Sequence, residues 1–292
     1  MKTLLETVAT AQLPTVQTPE LSPLTDALKA IHGQSIAAIL LYGSCKKSMA
    51  PSEGLIDLCV LLKNYNALPG FVGPVLNRAL PPNVYFLRSG NLQSKYAVIS
   101  LDQFEKRVAS KFDHYFWARF SQPFTVLHTD SAEVAERIQK AQIQALATFY
   151  SELRQKGMMT DDPLAFWSQG LRLTYACDLR PEPPDHANRL VTQHSTFWVN
   201  ATEALDAQFP EKGLYSLACR LRWQLRPVYG KLLNLLRLLK AAGTFSNGMD
   251  YIAWKIGRHS GVHFEPSPWM NRFPRIAGLT MAWRLWRQGG FR

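Results

Sequence analysis

Short apolar runs fill the first part of this chain, and long helical patterns fill the rest. "SPLTDALKAIH", residues 22–32, predicts a helix with Ser22 as N-cap, Pro23 at the first position and Gly33 just past the end. "SIAAILLY" and "LIDLCVLL" follow as apolar runs bounded by turn residues, and each reads as a strand. "PGFVGPVLNRAL" predicts a short helix between prolines. "NVYFLRS" and "SKYAVIS" predict two more strands, with the turn at Gly90-Asn91. A helix starts at Ser100 in "SLDQFEKRVA", and "PFTVLHT" is a further strand.

Beyond residue 130 the pattern lengthens. Ser131 to Gly157 reads as one long helix, and another begins at Asp161–Pro163. A Pro-rich turn in "PEPPDHANRL" leads into the next helix. Leu214 to Ala242 is helical in pattern, with a break expected near Pro227. No internal repeat or low-complexity tract is present. The expected fold is α/β (α+β): a mixed-sheet domain over residues 1–130 and an all-α domain over 131–292.

The length, 292 residues, allows one large domain or two small ones, and 47% hydrophobic with 19% charged residues describes a globular chain. No apolar run reaches the 18 or so residues of a membrane-spanning helix. The first 23 residues carry Glu6 and Pro14 and make a poor secretory signal. Cys45, Cys59, Cys177 and Cys219 show no CxxC spacing, so a reducing cytoplasm is expected. The net charge of +11 is lopsided. From Asn200 onward 14 Lys/Arg face 5 Asp/Glu, and five of the eight Trp lie there too. Such a segment suits nucleic acid, an anionic membrane, or simply a solvated basic face over a Trp-containing core.

One stretch carries candidate chemistry: "AILLYGSCKKSMAPSEGLIDLCVLL", residues 38–62. A strand ending in Gly43-Ser44 lets backbone N–H groups and a hydroxyl approach a phosphate. A carboxylate on the next strand, Asp57, can hold Mg²⁺ beside that phosphate. An Asp inside an apolar strand needs a partner or a cation. This Gly-Ser, spacer, acid layout resembles the DNA polymerase β-like nucleotidyltransferases. Their usual acid-x-acid pair is incomplete, because Cys59 stands at the second position.

Four segments, in order, resemble the phosphatidate cytidylyltransferases of the mitochondrial translocator assembly and maintenance family. They are "YGSC…LIDLCVL", "NVYFLRSGNLQSKYAVIS", "FDHYFWARFSQPFTV" and "GLRLTYACDLRPE", and they span roughly residues 38–190. The resemblance implies a nucleotidyltransferase-like sheet domain and the transfer of CMP from CTP to phosphatidate with Mg²⁺ as cofactor. It implies that Gly43 and Ser44 hold the triphosphate and that Asp57 ligates Mg²⁺. Lys95 and Arg119 become catalytic cations, and Tyr175, Asp178 and Arg180 nucleotide-binding residues. Cys45 replaces a family Gly and Gln122 a family Lys. Each assignment has a plain alternative. Asp178–Arg180 can be a surface pair, Lys95 an outward strand residue, Arg119 a cap or interface residue.

The lipid acceptor implies a peripheral protein on the inner, cytoplasmic face of an anionic membrane. "RIAGLTMAWRLWRQGGFR" sets Ile276, Leu279, Trp283 and Trp286 along one stripe, and "KLLNLLRLLKAA" offers a Leu-rich helix with Arg237 and Lys240 on one flank. Either can equally pack on the core or on a second subunit, so a homo-oligomer stays open. Nucleic acid is not the expected partner: no aromatic-basic strand motif of the RNA-binding kind occurs. The alternatives are a nucleotidyltransferase with a different acceptor, or an inactive member of that fold serving as a binding module.

Overall fold

The computed structural model describes residues 3–13, 18–43, 55–66, 68, 72–158, 162–179, 182–183, 185–209 and 216–242. In chain order these form α1 (Leu4–Gln12), α2 (Ser22–His32), β1 (Ile36–Tyr42), β2 (Leu55–Leu62), α3 (Val72–Ala79), β3 (Asn83–Ser89) and β4 (Leu92–Ser100). Then come α4 (Leu101–Val108), α5 (His114–Phe120), β5 (Thr125–Thr129), α6 (Ala132–Lys156), α7 (Pro163–Tyr175), α8 (His186–Gln193), α9 (Ser195–Gln208) and α10 (Leu217–Ala242). The expected mixed sheet followed by helices is what the structure shows. The strand order is β3-β4-β2-β1-β5, with β2 and β4 parallel and the other neighbours antiparallel.

β1 is buried at every residue because both of its faces are covered, which accounts for a continuous apolar run rather than an alternating one. On one face Ile39, Leu41, Leu58, Val60 and Val98 pack with Leu24 and Leu28 of α2. On the other, Leu40, Tyr42, Cys59, Leu61 and Ile99 join a larger core with Phe104, Phe116, Trp117, Phe149 and Trp167. The N-terminal α1 belongs to this second side: Leu4 and Val8 enter its core, and Gln12 Nε2 donates to Gln142 Oε1 at 2.7 Å.

The boundaries follow local chemistry. Ser100 and Ser131 cap α4 and α6, and Gly157, at φ +94°, ends α6 in the left-handed region. Asp162 accepts from the backbone N–H groups of Leu164 and Ala165 to start α7. Ser22 is not a cap. It is the first helical residue of α2, and Leu21 precedes it without a side-chain bond. α1 begins at a capping box, Thr3 with Glu6.

The expected break near Pro227 does not occur. α10 runs through it, because the helix is clamped on both sides of the proline. Before it, Arg226 is fully buried. Its Nη2 donates to Glu152 Oε2 at 2.7 Å, and its guanidinium lies 4.1 Å from the Trp223 ring and 5.2 Å from the Trp117 ring. Arg222 donates to the other carboxylate oxygen of Glu152 at 2.6 Å. After it, Arg237 donates to Asp113 Oδ2 at 2.7 Å and to the Pro81 carbonyl at 2.9 Å. Lys240 donates to the carbonyls of Leu80 and Pro82. Arg237 and Lys240 therefore point into the protein rather than flanking an outward leucine face.

Removing Glu152 would leave two guanidinium groups without their anion, one of them wholly enclosed. Glu152→Ala is expected to cost about 3–5 kcal/mol of stability. Urea unfolding followed by circular dichroism measures it. A loss below about 1 kcal/mol would mean that α10 is held by something other than this pair.

Candidate active site

The site forms where the larger core reaches the ends of β1 and β2. Tyr42, the last residue of β1, pairs with Asp57 on β2, and Asp57 pairs in turn with Lys95 on β4. Register partners share a face, so all three lie on the face of the larger core, the side of Tyr42 and Cys59. The turn leaving β1 opens with Gly43 at φ +79°, a conformation L side chains rarely adopt. A Cβ built on Gly43 would sit 2.9 Å from Asp57 Oδ2. The glycine is thus required twice over, for its backbone conformation and for the carboxylate lying against it. Ser44 and Arg180 lie outside the described residues.

Arg119, in the last turn of α5, closes the site from the helical side. It donates to the Tyr115 carbonyl at 3.2 Å, and its guanidinium stands 4.1 Å from the Tyr115 ring and 6.0 Å from the Tyr42 ring. Burial opposes its charge, but Tyr115, Tyr42, Asp178 and Asp57 outweigh burial and hold its pKa above the ordinary arginine value. The structure therefore joins Asp57 and Asp178, 121 positions apart in sequence by their numbers, through one half-buried cation.

Asp178 follows α7. Burial pulls its pKa up, yet His114, Arg119 and Asn234 together hold it below the usual carboxylate value. Asn234 Nδ2 donates to Asp178 Oδ1 at 2.8 Å, and His114 Nε2 stands 3.7 Å from the same oxygen, an ion-pair rather than a hydrogen-bond distance. Tyr175, the last residue of α7, is kept protonated mainly by burial, with Arg119 opposing and Glu182 and Asp178 reinforcing. Gly230 of α10 makes the approach to this group: a Cβ there would meet His114 Cε1 and the Cys177 carbonyl, each at 2.8 Å.

Of the sequence candidates, Gly43, Asp57, Arg119, Tyr175 and Asp178 share this neighbourhood, and the strand register brings Lys95 beside Asp57. Tyr42, Tyr115, His114 and Asn234 were not among them. Cys59, at the place of a second acid, is buried, and its thiol is pushed up to about 12 by burial against the opposing charge of Arg119. It stays a neutral thiol at neutral pH.

Among the described residues no three His, Cys, Asp or Glu side chains gather as ready-made metal ligands. Asp57 still fits Mg²⁺. That ion takes one or two carboxylates and completes its shell with water and substrate phosphate oxygens. The Gly43 backbone, having no Cβ, sets no side chain against Asp57 Oδ2.

Gly43→Ala and Gly90→Ala separate the two demands on Gly43. Both positions have positive φ, +79° and +58°, but the space at Gly90 is open whereas that at Gly43 holds the Asp57 carboxylate. Each substitution should cost about 1–3 kcal/mol in backbone strain, and Gly43→Ala measurably more. Urea denaturation of the two variants decides it. Equal losses would show that the carboxylate moves aside freely.

No family model matches the chain, and no curated protein matches it in sequence. A solved structure, the nucleotidyltransferase-like protein from Exiguobacterium sibiricum, is similar at 10% identity over 81% of this chain and 80% of that chain, with a TM-score of 0.27. A superposition this loose adds nothing to the fold or the site described above.

Proposed function

We propose that this chain is a nucleotidyltransferase that moves CMP from CTP to phosphatidate, forming CDP-diacylglycerol and pyrophosphate. The observation that carries the reading is Asp57 seated against Gly43, with the half-buried Arg119 charge acting on it. The four segments resembling the phosphatidate cytidylyltransferases supply the identity of nucleotide and acceptor.

In the proposed reaction an oxygen of the lipid phosphate forms a bond to the α-phosphorus of CTP. The bond from that phosphorus to the bridging oxygen of the β-phosphate breaks, and its electron pair leaves with pyrophosphate. Asp57 would hold Mg²⁺, which would supply positive charge to offset that on the leaving pyrophosphate. Asp57 orients that end of the nucleotide, and the Gly43 backbone leaves room for it. A phosphate monoester has its second pKa near 6 and arrives largely dianionic, so no second carboxylate is needed to ionise the nucleophile. Cationic charge is needed instead, because two anions must meet. Arg119 and Lys95 supply it, and Asp178, Asn234 and His114 fix Arg119's surroundings. Arg180, outside the described residues, is a third candidate cation. The protein would work on the inner, cytoplasmic face of the membrane that holds its substrate.

Cys59 favours a second reading, a nucleotide-binding module without catalysis, because a buried neutral thiol stands where a polymerase carries its second acid. One experiment separates the two. Full-length protein is incubated with phosphatidate, Mg²⁺ and each labelled nucleoside triphosphate in turn, followed by lipid extraction. Label should enter the lipid phase with CTP and disappear with Asp57→Asn. CTP binding without lipid-soluble product, at any lipid presentation, would favour the module. Nucleotide binding that is indifferent to Mg²⁺ and to Asp57→Asn would end both readings.

A further inference from the structure

Asn234 of α10 stands between two groups of opposite charge. Its Nδ2 donates to Asp178 Oδ1 at 2.8 Å, and its Oδ1 accepts from Arg237 Nη1 at 3.5 Å. A carboxylate can only accept and a guanidinium can only donate, so the two neighbours decide which end of the amide faces which. Arg237 is itself held by Asp113 Oδ2 at 2.7 Å and by the Pro81 carbonyl at 2.9 Å. The amide therefore ties the anchor of α10 to the candidate site. One turn earlier on the same face, Gly230 lets the helix come close, because a Cβ there would meet His114 Cε1 and the Cys177 carbonyl.

Among the described residues the Asn234 bond is the one hydrogen bond made to the Asp178 side chain. His114 Nε2, 3.7 Å from the same oxygen, is beyond hydrogen-bond reach, and both of its buried ring nitrogens are without a hydrogen-bond partner among the described residues. Arg119 acts on Asp178 and on Asp57 alike. While Asp178 stays in place, the guanidinium is shared between the two carboxylates. Were Asp178 released, Arg119 would be left to pair with Asp57 alone, and the carboxylate proposed to hold Mg²⁺ would be taken.

We infer that Asn234 is a positioning residue of this site: it fixes the Asp178 carboxylate beside Arg119 and so leaves Asp57 free for its ligand. The inference deepens the function proposed above and rests on it for what Asp57 binds, though not for the hold on Asp178. The hold has an electrostatic side. Burial pushes the Asp178 carboxyl up, and His114, Arg119 and Asn234 bring it below the usual carboxylate value. Losing the amide should therefore let it titrate at higher pH. Arg119 and His114 act on Asp178 from α5, and Tyr175 and Cys177 lie beside it at the end of α7. Glu182 acts on Tyr175, and Arg226 and Lys231 of α10 act on Cys177.

The first measurement needs no ligand. Carboxyl-carbon NMR follows Asp178 against pH, its signal identified by its absence in Asp178→Asn. In Asn234→Ala the carboxyl should titrate at higher pH than in wild type. The second measures CTP binding with Mg²⁺ from about pH 5 to about pH 8. At neutral pH Asn234→Ala should bind about tenfold more weakly and need more Mg²⁺. Asn234→Asp separates position from bulk. Protonated, the introduced carboxyl has the shape of the amide and can donate to Asp178, so at the acid end this variant should bind as wild type does. As the pH rises the pair loses its proton and two carboxylates face each other. Binding should then fall to the level of Asn234→Ala. Wild type carries every other group named above, so a limb found in Asn234→Asp alone belongs to the introduced carboxyl. An Asp178 carboxyl that titrates alike in wild type and Asn234→Ala overturns the inference. A lowered melting temperature with unchanged CTP binding does the same, since that is a structural role alone. So does an Asn234→Asp protein that follows wild type at both ends of the range. If the titration moves as expected but wild type binds no CTP, the nucleotidyltransferase reading falls and the hold of Asn234 on Asp178 stands.

Discussion

The enclosed contact between Arg226 and Glu152 is the constraint on which the arrangement depends. Neither side chain reaches solvent, so neither charge is tolerable without the other. The guanidinium also lies over Trp117 and Trp223, which belong to α5 and α10, while Glu152 belongs to α6. One interaction thus fixes three helices about a point, and a shift of α10 along its axis would separate an ion pair rather than slide one leucine past another. A purely apolar contact would specify the position less sharply, because many registers of such a face bury similar area. With α10 set by this pair, Asn234 meets Asp178 and Gly230 passes against His114.

The same logic of paired charge organises the candidate site. Arg119 is half-buried, and what sustains its charge is a ring of tyrosines and carboxylates from β1, β2, α5 and the end of α7. Cation–π contact with Tyr115 supplies part of what solvent would have given. Asp178 receives a neutral donor from Asn234 on one side and the guanidinium field on the other. The result is a fixed positive group near a carboxylate that abuts bare backbone. Under the proposed function, such preorganised charge costs no reorganisation when an anionic substrate arrives.

How much of this could be read beforehand depends on how local each cause is. The strands were legible because two-sided burial writes a continuous apolar run. The caps at Ser100 and Ser131 were legible because the capping hydroxyl lies next to the helix it starts. Gly43 and Asp57 stood out because a glycine at a strand end and an acid inside a strand both break the local pattern. α1 had its own local signal, Thr3-x-x-Glu6, and it was overlooked. α5 gave none: His114, Phe116, Trp117, Ala118 and Phe120 are all buried, so the helix lacks the polar face that makes a period visible. Glu152 looks like a solvent-side acid until its partner is found 74 residues later, and Asn234 is 56 residues from Asp178. Pro227 suggested a break that the flanking ion pairs override.

α10 reverses the usual division of labour between charge and leucine. In an ordinary surface helix the leucines bind the protein and the cations face water. Here the cations bind the protein, because Glu152, Asp113 and the Pro81 and Pro82 carbonyls await them. Once those acceptors are set, the helix has no freedom to turn its leucines inward, since a rotation would strand the buried guanidinium groups of Arg226 and Arg237 and the Lys240 amine. The exposed leucines are therefore not a failure of packing that the chain could relax away. They follow from the same ion pairs that hold Asn234 on Asp178, so the outer face of α10 and the inner face that is part of the site are fixed together.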